Sequence, residues 1–315
     1  MFEKLVIVTR KTRLAELVER FNTRGQAKFY LDHSGGNFAA YVAEDDAYQR
    51  SLALVRRGLE LGLPQQFIDR ALVPTYRFAR GDVVVALGQD GLVANVAKYA
   101  GDQPIVGVNP DPERYDGILL PWRPEEARLA VAQVLEAQAG LRQVTLAEAS
   151  LNDGQRLLAF NDLFVGARTH VSARYRIRTG DQAEDHSSSG VLVSTGAGST
   201  GWLSSVFNMA AGVAAFAGGR AGKPIRLEWE DPRLLFAVRE PFVSRHSTAR
   251  LVAGYVAADG ELVLESLMPT GGVIFSDGIE NDFLHFNAGA TARIRASARR
   301  AQLVIPALAP AHAGR

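Results

Sequence analysis

In the first half of the chain apolar residues come as short continuous runs followed by stretches of helical period. The segment "KLVIV" at residues 4–8 has the length of a buried strand, and Leu14, Leu17, Val18 and Phe21 then recur at helical spacing, a β-α opening. Tyr48, Leu52, Val55 and Leu59 form the apolar face of a second predicted helix, with Asp45 and Asp46 as candidate caps. "VVVAL" at 83–87, the helix-forming residues after Gly91, and "QPIVGVN" at 103–109 continue the alternation. Strands alternating with helices predict a parallel sheet covered on both faces. Pro124 at a first helical position, with Glu125 and Glu126 behind it, predicts a further helix to about Gln138.

From about Val144 the pattern favours strands. Val171, Ala173, Tyr175 and Ile177 alternate with Ser172, Arg174, Arg176 and Arg178, and "AADGELVLE" at 257–265 predicts a hairpin around Asp259-Gly260. One helix interrupts this β-rich half after Gly201. The pattern therefore predicts an α/β plus β protein: a Rossmann-like α/β domain over residues 1–140, a β-rich, sandwich-like domain over 141–300, and a tail over 301–315 that lacks periodicity and should fray.

Composition narrows the chemistry more than the fold. With 47% hydrophobic and 22% charged residues the chain is an ordinary globular protein. Its net charge of +1 gives no global reason to expect nucleic acid or an anionic membrane as partner. The absence of cysteine excludes disulfides, thiolate zinc sites and cysteine nucleophiles. No window reaches the roughly 18 apolar residues of a spanning helix, so a cytoplasmic protein is expected.

Two glycine-rich turns carry the candidate chemistry. Gly88-Gln89-Asp90-Gly91 follows a strand and opens a helix, where backbone N–H groups attract phosphate and glycines allow its close approach. An acid there repels phosphate unless it holds a metal ion or takes a proton from an attacking hydroxyl, both tasks of phosphoryl transfer. The plain alternative is a D-G turn. The second turn, "STGAGSTG" at 194–201, also leaves a strand. Gly196, Gly198 and Gly201 spell G-x-G-x-x-G, but no acid lies about 20 residues further on after a second strand, as a dinucleotide fingerprint requires. A glycine turn fixed by packing is the competing account.

Other chemistries find less support. Ser199 sits in a near nucleophile elbow whose first glycine position is taken by Ala197. The six histidines have no ligand spacing. Arg174, Arg176 and Arg178 share one strand face, read as a solvated face or a subunit contact. Trp202, beside the second turn, can stack on a base or pack.

The two turns in this order resemble the NAD kinase family. Gly88, Asp90 and Gly91 match its G-G-D-G-T signature, Asn161 and Asp162 its Asn-Glu pair, and Thr195, Gly198, Ser199 and Thr200 its T-P-T-G-S-T-A-Y turn. Asp277 and Gly278 in "VIFSDG" are similar to its late D-G turn. The resemblance implies transfer of a phosphoryl group from ATP, or from polyphosphate, to the adenosine ribose 2′-hydroxyl of NAD, with magnesium or another divalent cation and a homodimer or homotetramer. It implies Asp90 as the base, backbone N–H groups at Gly88 and Gly91 on phosphates, Asn161 and Asp162 on adenine and ribose, and Thr195, Ser199 and Thr200 along the acceptor pocket. Gln89, Leu92, Gly196, Ala197, Gly201 and Trp202 depart from the family residues, and Ser189 stands where the family has an acid that helps bind the acceptor. Two alternatives accompany these departures: a protein of this fold that binds NAD or NADP without turnover, and a kinase of another hydroxyl such as a sugar or lipid.

Overall fold

The computed structural model describes residues 2–220, 222 and 225–306. The chain divides into two compact units, one of residues up to Arg142 together with those from Gln302 on, the other Gln143–Ala301.

The first unit alternates strands and helices: β1 (Lys4–Thr9), α1 (Arg13–Phe21), α2 (Arg24–His33), α3 (Phe38–Gly58), β2 (Gln65–Asp69), β3 (Asp82–Leu87), α4 (Asp90–Tyr99), β4 (Pro104–Val108) and α5 (Ala127–Leu135). The strands pair in parallel in the order β2-β1-β3-β4. All six residues of β3 are buried, which is why its sequence is a continuous apolar run instead of an alternation. The core gathers Leu5, Ile7, Val83, Val85, Val106 and Val108 from the strands against Tyr48, Val55, Ala127, Val131 and Val134 from the helices.

Two helical expectations change. Asp45 and Asp46 do not start a helix: Asn37 caps α3, its side chain accepting from the Ala40 N–H, and the helix formers from Ala39 to Glu44 carry the helix a full seven residues earlier than Asp45. Asp45 instead accepts a hydrogen bond from the Thr12 hydroxyl at 2.6 Å. The helix α2 escapes the pattern because only Ala27 and Leu31 are buried on it. Pro124–Glu126 forms a 3-10 turn that leads into α5, with Glu126 accepting from the Arg123 N–H.

The second unit contains β5 (Gly140–Leu151), which begins in the first unit, then β6 (Arg156–Ala159), β7 (Asp162–Ala167), β8 (Ala173–Thr179), β9 (Gln182–Ser188), β10 (Val191–Ser194), α6 (Trp202–Phe216), β11 (Leu234–Val238), β12 (Ala253–Val256), β13 (Leu262–Ser266), β14 (Gly272–Ser276), β15 (Ile279–His285) and β16 (Thr291–Ile305). A six-stranded antiparallel sheet runs β12-β11-β10-β7-β14-β15. Strands β16, β13, β8 and β9 pair antiparallel in a second layer, where β5 also pairs with β16. Inward residues of both layers, among them Leu163, Val165, Tyr175, Ile177, Val191, Phe236, Leu264 and Ile274, make one core.

Three β-level expectations also change. Asp259-Gly260 does not close a hairpin, because β12 pairs with β11 in one sheet and β13 with β16 and β8 in the other. Alternation reports which face of a strand is buried and not which strand lies beside it. Val171 lies outside β8 and is exposed. Residues 301–305, expected in the tail, complete β16: Gln302 and Leu303 pair with β4, Val304 O accepts from the Trp122 indole N–H at 2.9 Å, and Ala301, Leu303 and Val304 are buried. Residues 307–315 of that tail lie outside the described residues. Arg174, Arg176 and Arg178 are exposed, and Arg176 pairs with Asp185 and Arg178 with Glu265.

Candidate functional site

In the first unit the turn after β3 lies at the carboxyl edge of the parallel sheet, where open α/β sheets place their ligands. Gly88 ends the strand, its N–H bonded to Val108 O, and Gln89 precedes α4 without supplying a side-chain cap. The amino end of α4 therefore keeps N–H groups for an incoming anion. Asp90, half-buried, is the first helical residue, and its Oδ1 accepts the Leu119 N–H at 2.7 Å. That bond ties the acid to the loop after β4 and fixes the carboxylate plane. Nothing local in the sequence signals it, because its partner is a main-chain group 29 residues away.

The glycines differ in their reasons. A β-carbon on Gly91 meets nothing within 4 Å, so no contact within the chain requires glycine there. Gly91→Ala is therefore expected to leave stability unchanged or raise it by up to about 1 kcal/mol through helix propensity, while weakening phosphate binding at the turn. Thermal melts and ATP titrations on the same preparations check both halves, and unchanged ATP affinity would return Gly91 to the role of an ordinary turn residue.

The second unit holds the remaining candidates. Asp277, at φ 53°, follows β14, and its carboxylate accepts the N–H groups of Phe160, Asn161 and Asp162 at 3.1, 2.6 and 3.3 Å. The late D-G turn is thus the clamp that shapes the Asn161-Asp162 segment. Asn161 is half-buried, and its carbonyl accepts the Thr195 N–H. Asp162 is 8% exposed, with its Oδ1 buried and unpartnered. Burial, aided by the nearby Asp277 charge and opposed by a hydrogen bond from Ser194, pushes its carboxyl up to about 7.

A carboxyl raised this far stabilises the fold fully below about pH 4, where it is protonated in both states, and loses that contribution as pH rises toward 7. The loss is of the order of a few kcal/mol. Asp162→Asn is expected to remove this slope, so urea unfolding from pH 4 to 8 should show the variant gaining on the parent with rising pH. Parallel curves would contradict the burial of an ionisable Asp162.

The hydroxyls of the second turn serve the backbone. Thr195 Oγ1 donates to Phe160 O at 2.6 Å and accepts the Gly198 N–H, and Ser199 Oγ donates to Gly196 O at 2.7 Å. Both residues are buried, which leaves no free nucleophile in the near elbow. Thr200 is exposed. Ser199 and Thr200 line a pocket of about 450 Å³ with Arg220 and Arg226, whereas Ser189 lines a different one of about 730 Å³. The latter lies on the outer face of the six-stranded sheet, floored by Phe164, Phe275 and Phe283 and walled by Trp202, Arg168, Arg239 and Glu280. Trp202 stacks on Phe164, with ring centroids 5.7 Å apart and planes 13° apart, and the Arg239 guanidinium sits 5.4 Å from the Trp202 ring centre. Trp202 therefore both packs and lines a pocket suited to a planar ring.

The structure thus places Gly88, Asp90 and Gly91 in the first unit and Asn161, Asp162, Ser189, Thr195, Ser199 and Thr200 in the second. Sequence patterns missed the Leu119 N–H, Arg239 and the aromatic floor, whose residues come from three strands with no shared motif. No group of three or more His, Asp or Glu side chains is arranged for a metal ion among the described residues, and none of their helices is long and apolar enough to cross a membrane.

The chain thus combines a parallel-sheet unit that carries a glycine-bracketed acid at its carboxyl edge with an antiparallel β unit that carries a glycine-serine-threonine turn. No protein-family model matches the chain. Curated relatives do: it is 28% identical to the NAD kinase of Thermococcus gammatolerans over 80% of this chain and 82% of that protein. It is 24% identical to the mitochondrial NAD kinase 2 of Rattus norvegicus over 77% and 74% of the two chains. Among solved structures, yeast NADH kinase complexed with NADH superposes with a TM-score of 0.56 at 16% identity, covering 98% of this chain and 84% of that one. The NAD kinase of Archaeoglobus fulgidus in complex with ATP gives 0.54 at 17% identity, covering 96% and 93%. The chain thus shares the fold of these NAD kinase structures and is distantly similar in sequence to curated NAD kinases over most of its length.

Proposed function

We propose that this protein transfers the terminal phosphoryl group of ATP, or of inorganic polyphosphate, to the adenosine ribose 2′-hydroxyl of NAD. The observation that carries this reading is Asp90: a half-buried carboxylate at the mouth of a phosphate-type turn, held in one plane by the Leu119 N–H. With Oδ1 engaged, Oδ2 is the oxygen for the ribose proton. The 2′-oxygen then bonds to the terminal phosphorus, the bond from that phosphorus to its bridging oxygen breaks, and ADP leaves with the electron pair.

In this account Gly88 and Gly91 admit phosphate oxygens to the backbone, and Asn161 and Asp162 contact adenine and ribose. Thr195 and Ser199 act by shaping the turn, their hydroxyls being committed to the main chain. Magnesium bound to the nucleotide's phosphates would neutralise phosphate charge during transfer.

The bond between Asp90 and Leu119 also favours a second reading, in which the acid is a structural staple and the protein binds NAD or NADP without turnover. ATP labelled on its terminal phosphate separates the two. The kinase reading expects label in NAD and none in nicotinamide mononucleotide, which lacks the adenosine ribose. Labelling of neither supports the binding-only reading, and equal labelling of both places the transfer on another hydroxyl.

A further inference from the structure

Arg10 lies one residue beyond β1, and β1 pairs in parallel with β3, so Arg10 emerges at the same sheet edge as Gly88. The contact is direct: a β-carbon on Gly88 would lie 3.5 Å from Arg10 Cδ. The side chain is only 11% exposed, and its Nε is buried with no partner. The rest of the guanidinium is held in place. Nη2 reaches Glu44 Oε1 at 3.2 Å and the Tyr115 hydroxyl at 3.5 Å, Nη1 donates to Lys11 O, and the group sits 5.6 Å from the Tyr48 ring centre. Tyr48 in turn accepts the Arg10 N–H and donates to Leu87 O, which locks β1 and β3 together just before the turn.

Glu44, 2% exposed, faces two guanidiniums, Arg10 and Arg13, while Lys11 pairs with Glu19. Burial pushes the Glu44 carboxyl up, and hydrogen bonds from Arg13 and Arg10 outweigh it and hold the group below the usual carboxylate range. Glu44 is thus shared between two guanidiniums, so Arg10 is not matched by a carboxylate of its own, and the helix end at the turn is also positive. A guanidinium held beside such a turn suits an oxyanion with several acceptor oxygens.

We propose that Arg10 is a phosphate-binding residue of the Gly88–Gly91 turn, its guanidinium charge, held beside Gly88, attracting the phosphoryl donor's phosphate chain. The proposal rests on reading that turn as a phosphate site, and it deepens the kinase account by adding a side-chain cation to the backbone N–H groups. The cation binds and orients phosphate. It takes no proton.

The test is calorimetric titration of the full chain with inorganic tripolyphosphate and, separately, adenosine. Arg10→Met keeps the apolar stem, and Arg10→Lys keeps the charge without the fork. Because Arg10→Met strips Glu44 of a partner and can weaken the fold, the double variant Arg10→Met, Glu44→Gln is measured beside it, with melting curves. Tripolyphosphate affinity is expected to fall at least tenfold in Arg10→Met and in the folded double variant, less in Arg10→Lys, with adenosine affinity unchanged. Wild-type tripolyphosphate affinity in the folded double variant overturns the proposal, as does the absence of tripolyphosphate binding by the wild type. NADP formation keeps the two claims apart. Arg10-dependent tripolyphosphate binding without NADP retains the site and rejects the kinase, and NADP formation with an unchanged KM for ATP in Arg10→Met retains the kinase and rejects the site.

Discussion

Replacing Asp90 by asparagine is expected to lower turnover of NAD by about 100-fold or more while leaving nucleotide affinity near its original value. The asparagine side chain keeps an oxygen for the Leu119 N–H, so the link between the turn and the loop after β4 survives. What disappears is the carboxylate that takes the ribose proton. Steady-state kinetics with NAD and ATP, alongside NAD titration, separate these effects. Near-normal turnover in Asp90→Asn would assign the residue to structure, and the binding-only reading would gain.

The second large effect lies in the other unit and concerns folding. A β-carbon on Gly196 would lie 1.8 Å from Glu228 O, and one on Gly198 would lie 2.3 Å from Asn161 O. These neighbours are main-chain atoms, which cannot rotate away as a side chain can. Gly196→Ala and Gly198→Ala are each expected to cost more than about 3 kcal/mol, since relief requires moving a backbone segment. Urea unfolding followed by circular dichroism measures this, and a midpoint within error of the parent would show that the turn is looser than its packing implies. The contrast with Gly91, where an added β-carbon meets open space, makes the pair informative. Protein fills the space that a β-carbon would take at Gly196 and Gly198, whereas that space is open at Gly91.

That contrast marks what the sequence made legible. The strand-turn-helix around Asp90 is readable because β3 is covered on both faces and shows as an unbroken apolar run ending at Gly88. The alternation from Ala173 to Arg178 is readable for the matching reason, since β8 buries alternate residues against the sandwich core, whereas β5, which contains Val144, buries a continuous run. Partners across the chain are not readable. Alternation around Asp259-Gly260 fits a hairpin as well as it fits two strands that part into different sheets. The roles of Thr195 and Ser199 are hidden likewise: a hydroxyl that closes a turn onto Phe160 O or Gly196 O looks, in sequence, like one that faces a ligand. Arg10 carries no motif at all. Its signal is topological, a cation one residue past a strand whose parallel neighbour ends in the glycine turn.

The central claim, phosphorylation of NAD on its adenosine ribose, is tested most directly by incubating the purified chain with NAD, ATP and magnesium and reading NADP with an NADP-specific dehydrogenase. The account predicts NADP that accumulates with time and enzyme, requires the divalent cation, and falls about 100-fold or more in rate with Asp90→Asn. No NADP from either ATP or polyphosphate, in a preparation that binds NAD by calorimetry, would contradict it.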